Sequence, residues 1–240
     1  MRIVSFYFEN PTNEKYKIFY KAFLNSVKIN MPTIPLSFIK LPEPRAIPGV
    51  PLSVLHNYHK LIVWMDYLND DTIFIDCDTV VLSDLTEAYN DNFDIALTKR
   101  KRKKLLNTGV VFYRPTGKDF FNEWYKWNKV LMKRIMSGKK YITINQDALR
   151  LALQHQEHKF LIKILPCRIW NACNEDWSEI NRDTKMIHYK AGPGSIRHEA
   201  LSNKKLYEIN PKFRNAIRIL RNYASYETAR QNETRAIAVD

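Results

Sequence analysis

The stretch IFIDCDTVVL, residues 73–82, sets two acids one residue apart at the end of an apolar run and then resumes the run. If residues 73–75 form a strand, its two-residue period sends Asp76 and Asp78 to the same side. Two carboxylates that close repel unless a cation sits between them or one keeps its proton. Carboxylate oxygens suit hard divalent ions such as magnesium or manganese, which makes the pair a candidate metal site. The same residues also suit a turn that closes a buried strand, because Asp favours turns and helix caps. Asp-x-Asp alone does not choose between these readings; the rest of the chain has to.

The chain has 240 residues, 45% of them hydrophobic, enough for a substantial core, and one large domain is expected. Cys77, Cys167 and Cys173 are odd in number and lack framework spacing, so neither a disulfide scaffold nor a zinc site is expected. A reducing compartment fits them better. The apolar run in MRIVSFYFEN is too short for a signal peptide and no later run approaches a membrane span, so the expected location is the cytoplasm. Lys and Arg number 38 against 25 Asp and Glu, and the net charge of +13 favours encounter with nucleic acid, acidic glycan or anionic lipid. With six glycines, no G-x-G-x-x-G and no Walker sequence, a nucleotide would have to be held by something other than a glycine-rich loop.

Apolar runs of strand length alternate with longer segments of helical period, the pattern of an α/β domain with a mostly parallel sheet. Strands are expected at 3–8, 36–39, 73–75, 94–97, 109–113, 160–165 and 185–189. Tyr16, Phe19, Phe23 and Val27 recur at helical spacing, and further helices are expected over 54–68, over 118–135, from about 145 and over 211–223. LPEPRAIPGVP, between the second strand and the second helix, can only be a loop. In KDFFNEWYKWNKVLMKRI, Phe120, Trp124, Trp127, Leu131 and Ile135 share one face, which reads as core packing rather than a platform for stacked bases.

Beyond residues 73–82, LLNTGVVFYR (105–114), TINQDAL (143–149) and MIHYKAGPG (186–194) follow in that order. Together the four segments resemble the GT-A glycosyltransferases, and most closely the retaining enzymes of glycosyltransferase family 8. That family carries a strand ending in Asp-x-Asp, an Asn-Ala-Gly strand, a Gln-Asp pair opening a helix and a His-x-x-Gly-x-x-Lys segment. The resemblance implies a GT-A fold, Rossmann-like with a mostly parallel central sheet flanked by helices. It would form one domain over 1–226, with a basic helix at 211–226 and a fraying tail at 227–240. It implies that Asp76 and Asp78 bind Mn2+ or Mg2+ with His188 completing the protein ligands. It also implies that Asn107, Thr108 and Gly109 line the donor sugar and that Gln146 and Asp147 flank the reacting carbon. Lys60 stands where the family has an Arg that reaches the donor, and Tyr16 resembles the aromatic that stacks on the base. HYKAGPGSIRH has one residue more between His and Gly than the family and lacks its Lys-Pro-Trp ending. Donor contacts by Lys190, Gly192 and Arg197 are expected across that departure, and UDP is the default carrier by resemblance.

The chemistry supports these roles independently. Breaking a sugar–diphosphate bond builds negative charge on the leaving phosphate, and a divalent ion bridging both phosphates neutralises it as it forms. An imidazole added to oxygen ligands tilts the choice from magnesium toward manganese. Neither DCD nor NTG supplies an obvious nucleophile, so retention would run by same-face displacement or through a short-lived adduct. Blander readings stand beside each residue. His188 lies between Ile187 and Tyr189 and suits a buried, hydrogen-bonded histidine; Asn107 could turn into its own strand; Gln146 and Asp147 could only open a helix. Tyr16 shares the face of Phe19 and Phe23, and Lys60 suits a solvated helix face.

KRKRKK, residues 99–104, lies just before Asn107 and is an electrostatic footprint for phosphates, although such runs are usually solvated loops. Arg214, Arg218 and Arg221 form a second basic stripe at helical spacing. A polyanionic acceptor is therefore expected, with DNA bearing a hydroxymethylated base placed ahead of a surface glycan or lipopolysaccharide. Two rival classes remain. IFIDCDTVV also fits the start of a haloacid-dehalogenase-type phosphatase, which would place the motif on an early strand and need a later acidic pair. A non-catalytic polyanion-binding protein on the same fold is the other.

Overall fold

In the computed structural model, the residues described are 1–9, 16–100, 106–139, 143–155, 160–190 and 196–237. The chain forms two compact units, Met1–Asn10 with Ile34–Ile75 and Ala88–Leu165, and Pro11–Thr33 with Asp76–Glu87 and Pro166–Asp240. They interleave along the sequence, so neither is a contiguous segment that could be cut out.

The first unit is a mixed α/β layer. Its sheet takes β1 (Arg2–Glu9), β2 (Leu36–Pro42), β3 (Thr72–Ile75), β5 (Ile95–Lys99), β6 (Leu106–Tyr113) and β7 (Ile162–Pro166) in the order β2-β1-β3-β6-β5-β7. β1 pairs in parallel with both β2 and β3, while β6 runs antiparallel to β3 and β5. All four residues of β3 are buried: Ile73–Ile75 are apolar, as a strand covered on both faces requires, and the Thr72 hydroxyl donates to the carbonyls of Tyr67 and Asp70. Helices α2 (Leu52–Met65), α3 (Lys118–Met136) and α4 (Ile144–Gln154) supply the rest of the core. Trp64 stacks on Phe74 at 4.7 Å, and Trp124 meets Trp64 edge-on at 6.1 Å. The aromatic face of α3 is thus core, as its spacing indicates; Trp127, at its margin, stacks on His155 at 5.0 Å.

The second unit is mainly helical. α1 (Lys17–Asn30) and α7 (Pro211–Ile237) pack with a two-stranded ladder of β4 (Thr79–Val81) and β8 (Met186–His188), and the short helices α5 (Cys167–Trp170) and α6 (Ile196–Ala200) complete it. Phe19, Trp177, Tyr189, Phe213, Ile217 and Leu220 form its core. α7 runs past the expected end at 223, since ASYETARQNETRAI contains neither Pro nor Gly to stop it. Arg214 donates to the carbonyls of Tyr207 and Ile209, and Arg221 to those of Ser202 and Lys204, so two of the three arginines of the basic stripe tie the preceding loop to the helix. Among the described residues, no helix is long and apolar enough to cross a membrane.

Candidate metal and donor site

β3 ends at Ile75, and Asp76, Cys77 and Asp78 form a turn before β4 begins at Thr79. The turn reading therefore holds for the backbone, and strand alternation is not what brings the carboxylates together. The Thr79 hydroxyl donates to the Asp76 carbonyl at 2.8 Å and pins the turn. The β4–β8 ladder then places His188 opposite Thr79, and the Tyr189 N–H donates to the Asp78 carbonyl at 2.8 Å. His188 Nε2 ends 3.2 Å from Asp78 Oδ1 and 3.7 Å from Asp76 Oδ2.

Asp76, Asp78 and His188 each bring one ligand atom within 4.8 Å of the others. Two carboxylate oxygens and one imidazole nitrogen are a donor set that fits manganese, and they converge without rearrangement of the backbone. His188 is buried, with side-chain exposure of 2%, while Asp76 and Asp78 keep 27% and 17%, leaving an ion a route from solvent.

Two further residues hold these side chains in place. Asn171 Oδ1 lies 3.0 Å from His188 Nδ1, in the interior. Arg197 pairs through its guanidinium with Asp78 Oδ2, the oxygen turned away from His188, and its Nε donates to the Tyr189 carbonyl at 3.0 Å. Burial by itself would lower the Arg197 guanidinium, but Asp78 holds it above its ordinary value. The same guanidinium lies 5.5 Å from the rings of Tyr16 and Phe19. Arg197, expected on the donor phosphates, is thus already engaged with a metal-ligand candidate. Lys190 follows β8 half-buried, and Gly192 lies outside the described residues.

The residues expected around the donor sugar lie in the first unit, where β6 carries an irregularity. Leu97 pairs with Val111 but Thr98 pairs with Asn107, so residues 108–110 have no partner in β5. Bulges of this kind free backbone groups and re-aim side chains. The freed Thr108 carbonyl accepts from Lys60 Nζ at 2.6 Å, and the Asn107 side-chain oxygen accepts from the Gly109 N–H at 3.0 Å. Lys60 is buried and sits 4.6 Å over the Trp64 ring, so it is not the solvated lysine that its place in the sequence suits. Gln146 and Asp147 are half-buried in the first turn of α4, with Thr143 Oγ1 3.4 Å from Asp147 Oδ2.

Solved structures share this arrangement of elements. A glycosyltransferase involved in the glycosylation of the major capsid of PBCV-1 superposes with a TM-score of 0.58 at 11% identity, over 84% of this chain and 99% of that one. The galactosyltransferase LgtC, in complex with donor and acceptor sugar analogues, gives 0.58 at 12% identity over 94% and 96%. The chain has the GT-A glycosyltransferase fold. The glycosyltransferase GlyE of Streptococcus pneumoniae shares the GT-A fold with a TM-score of 0.54 at 14% identity, over 94% of this chain and 64% of that one. No protein-family model matches the sequence, and no curated protein matches it.

Within the GT-A fold, sequence reasoning missed Asn171 and the pairing of Arg197 with Asp78. Asn171 stands 17 residues before His188, and no spacing rule links an amide to a histidine at that distance.

Proposed function

We propose that the protein moves a sugar, with retention, from a nucleoside-diphosphate donor to an acceptor hydroxyl, using a divalent ion at Asp76, Asp78 and His188. The observation that carries this reading is the convergence of those three ligand atoms within 4.8 Å on a GT-A fold. UDP is the first carrier to test and manganese the first ion. LgtC was solved with donor and acceptor sugar analogues, which supports the same reaction class here. When bound, the ion would supply charge neutralisation for the leaving diphosphate. Asp76, Asp78 and His188 would hold it, Arg197 would fix the Asp78 carboxylate, and Asn171 would orient the imidazole. Tyr16, Lys60, Asn107, Thr108, Gly109, Lys190 and Gly192 would serve the donor. Gln146 and Asp147 would border the reacting carbon.

For the acceptor, the net charge of +13 supports a polyanion, and the proposal places DNA with a hydroxymethylated base ahead of a surface glycan. Of the basic run, Lys99 is exposed and Arg100 is buried, while 101–104 lie outside the described residues. Phe213, Ile217 and Leu220, which a helix lying in a membrane interface would need, are packed in the core, and this weighs against a lipid-surface route. A cytoplasmic location goes with this proposal.

The test is mass spectrometry of the products after incubation with manganese and a panel of nucleotide sugars, with hydroxymethylated DNA and with glycan acceptors. Nucleoside diphosphate together with a sugar-bearing acceptor, or with free sugar from slow donor hydrolysis, supports transfer. Free phosphate from phosphate esters, with no donor consumed, would replace the reading with the phosphatase.

A further inference from the structure

We propose that Cys167, Cys173 and Asp176 hold a second divalent ion, a thiophilic one with zinc foremost, distinct from the group at Asp76, Asp78 and His188. Cys167 opens α5, Cys173 caps the short 3-10 helix Asn174–Glu179, and Asp176 is the third residue of that helix. The Asn171 N–H donates to the Cys167 carbonyl at 2.8 Å and the Ala172 N–H to the Met186 carbonyl at 2.9 Å, which folds the intervening chain so that the two cysteines face each other. Their sulfurs are 3.8 Å apart, and one Asp176 carboxylate oxygen completes a set of three ligand atoms within 4.8 Å of one another.

Three features fit a shared metal ion. A tetrahedral ion with metal–sulfur bonds of about 2.3 Å holds two sulfurs about 3.8 Å apart, whereas a disulfide needs about 2.05 Å. The observed separation matches the first and excludes the second, and it also lies within thiol-to-thiol hydrogen-bond reach. All three side chains are buried, with residue exposures of 2%, 0% and 5%, as in closed structural zinc sites. The Asp176 carboxylate accepts from the Cys173 N–H at 3.2 Å in a reciprocal capping box, which fixes it beside the two sulfurs, and a shared cation would further offset the cost of burying its charge. Two sulfurs and one oxygen select zinc over magnesium or manganese, so this group and the Asp76–Asp78–His188 group would take different ions. The Asn171 carbonyl accepts from the Cys167 thiol at 3.0 Å, and once that thiol gives up its proton to an ion the carbonyl is an oxygen at hand for the fourth position. On binding, the two thiols give up their protons to solvent and each thiolate donates an electron pair to the ion; nothing is oxidised. The spacing Cys-x5-Cys-x2-Asp matches no zinc-finger pattern, which is why the sequence gives no warning of it. The site would stiffen the segment that carries Asn171 to His188, and its existence does not depend on the proposed transfer reaction.

The test uses the full chain. Elemental analysis of protein purified without chelator should find one zinc per chain, retained in Asp76→Asn and lost in Cys173→Ser. Cobalt added to the metal-free protein should give sulfur-to-cobalt charge-transfer absorption in the wild type and in Asp76→Asn but not in Cys173→Ser. Should Cys173→Ser fail to fold, Asp176→Asn serves instead. It should keep the absorption with cobalt binding weakened by at least the about ten-fold that loss of a supporting partner costs. Wild-type protein that carries no zinc and shows no charge-transfer band overturns the proposal. So does an intact mass two hydrogens light that reductant restores, because the pair is then a disulfide.

Discussion

Asn171 Oδ1 meets His188 Nδ1 at 3.0 Å, with both side chains buried. An amide oxygen can only accept, so in the neutral ring Nδ1 carries the hydrogen and Nε2 keeps its lone pair for an ion shared with Asp78 and Asp76. Asn171→Ala should weaken manganese binding by about 10–100-fold, the usual cost of losing the partner of a ligating histidine. Asn171→Asp, which still accepts from Nδ1, should bind manganese more tightly than the alanine variant. Manganese titration followed by electron paramagnetic resonance checks both; an alanine variant that binds like the wild type would remove Asn171 from the site.

Asp76 and Asp78 should part company in stability though not in activity. Either change to Asn should abolish transfer and manganese-dependent nucleotide binding. Asp76→Asn relieves repulsion between neighbouring carboxylates and should leave the urea midpoint the same or higher. Asp78→Asn removes the charge that Arg197 pairs with and should cost about 1–3 kcal/mol. Urea melts of the two metal-free variants measure the difference, and equal midpoints would show that the Arg197 pair adds nothing.

How far the sequence reveals this site depends on which part is asked about. Elements with a strong apolar pattern, such as the continuous run of β3 and the periodic aromatic face of α3, were legible because burial alone dictates their pattern. The three metal-ligand candidates were legible through motif order. The means of their convergence was not. Strand alternation was the expectation for Asp76 and Asp78, yet a turn pinned by Thr79 and a three-residue strand, β4, do the positioning. A strand that short leaves almost no periodic signal, and its partner β8 lies about a hundred residues further on. Long-range pairs between single side chains, such as Arg197 with Asp78, leave no local trace at all.

Lys60 sets up a second test of structure against function. Its ammonium donates to the Thr108 carbonyl that the β6 bulge leaves without a partner in β5. Lys60→Met keeps the apolar stem and deletes the donor, stranding a buried carbonyl at a cost of about 1–3 kcal/mol. Because the bulge carries Asn107, Thr108 and Gly109, the Michaelis constant for the donor should rise as well. Unchanged stability would show that the bulge stands without the lysine.

His59 gives the fold a pH dependence at the acid side of neutrality. Burial first, and the neighbouring His56 second, hold its imidazole below the ordinary 6.5, with Phe8 edge-on at 6.1 Å and Tyr58 at 5.8 Å. The unfolded chain therefore takes up this proton before the folded one does, and stability rises with pH across that interval. The contribution is full above about pH 6.5 and is lost as pH falls toward the lowered folded value. Calorimetry from about pH 7.5 to 5.5 should show a falling midpoint, with a shallower fall in His59→Gln. Parallel curves for the two proteins would assign the dependence to other groups.

The basic run at 99–104 supplies the test of the acceptor. If those cations grip phosphates, each contact releases about one counterion, and log affinity for duplex DNA falls linearly with log salt at about 0.9 per contact. Arg100 is buried and so should contribute least. Replacing Lys101, Arg102 and Lys103 with Gln should flatten the slope by about two to three units, whereas replacing Arg214, Arg218 and Arg221 should change it less, since two of these already donate to loop carbonyls. The triple changes leave the metal-ligand candidates untouched, so donor hydrolysis without acceptor should persist in the first variant and separate a lost acceptor grip from a lost active site. Salt-insensitive binding to DNA by the unaltered protein, together with no sugar appearing on hydroxymethylated DNA from any donor, would move the acceptor to a glycan while leaving the transfer reaction standing.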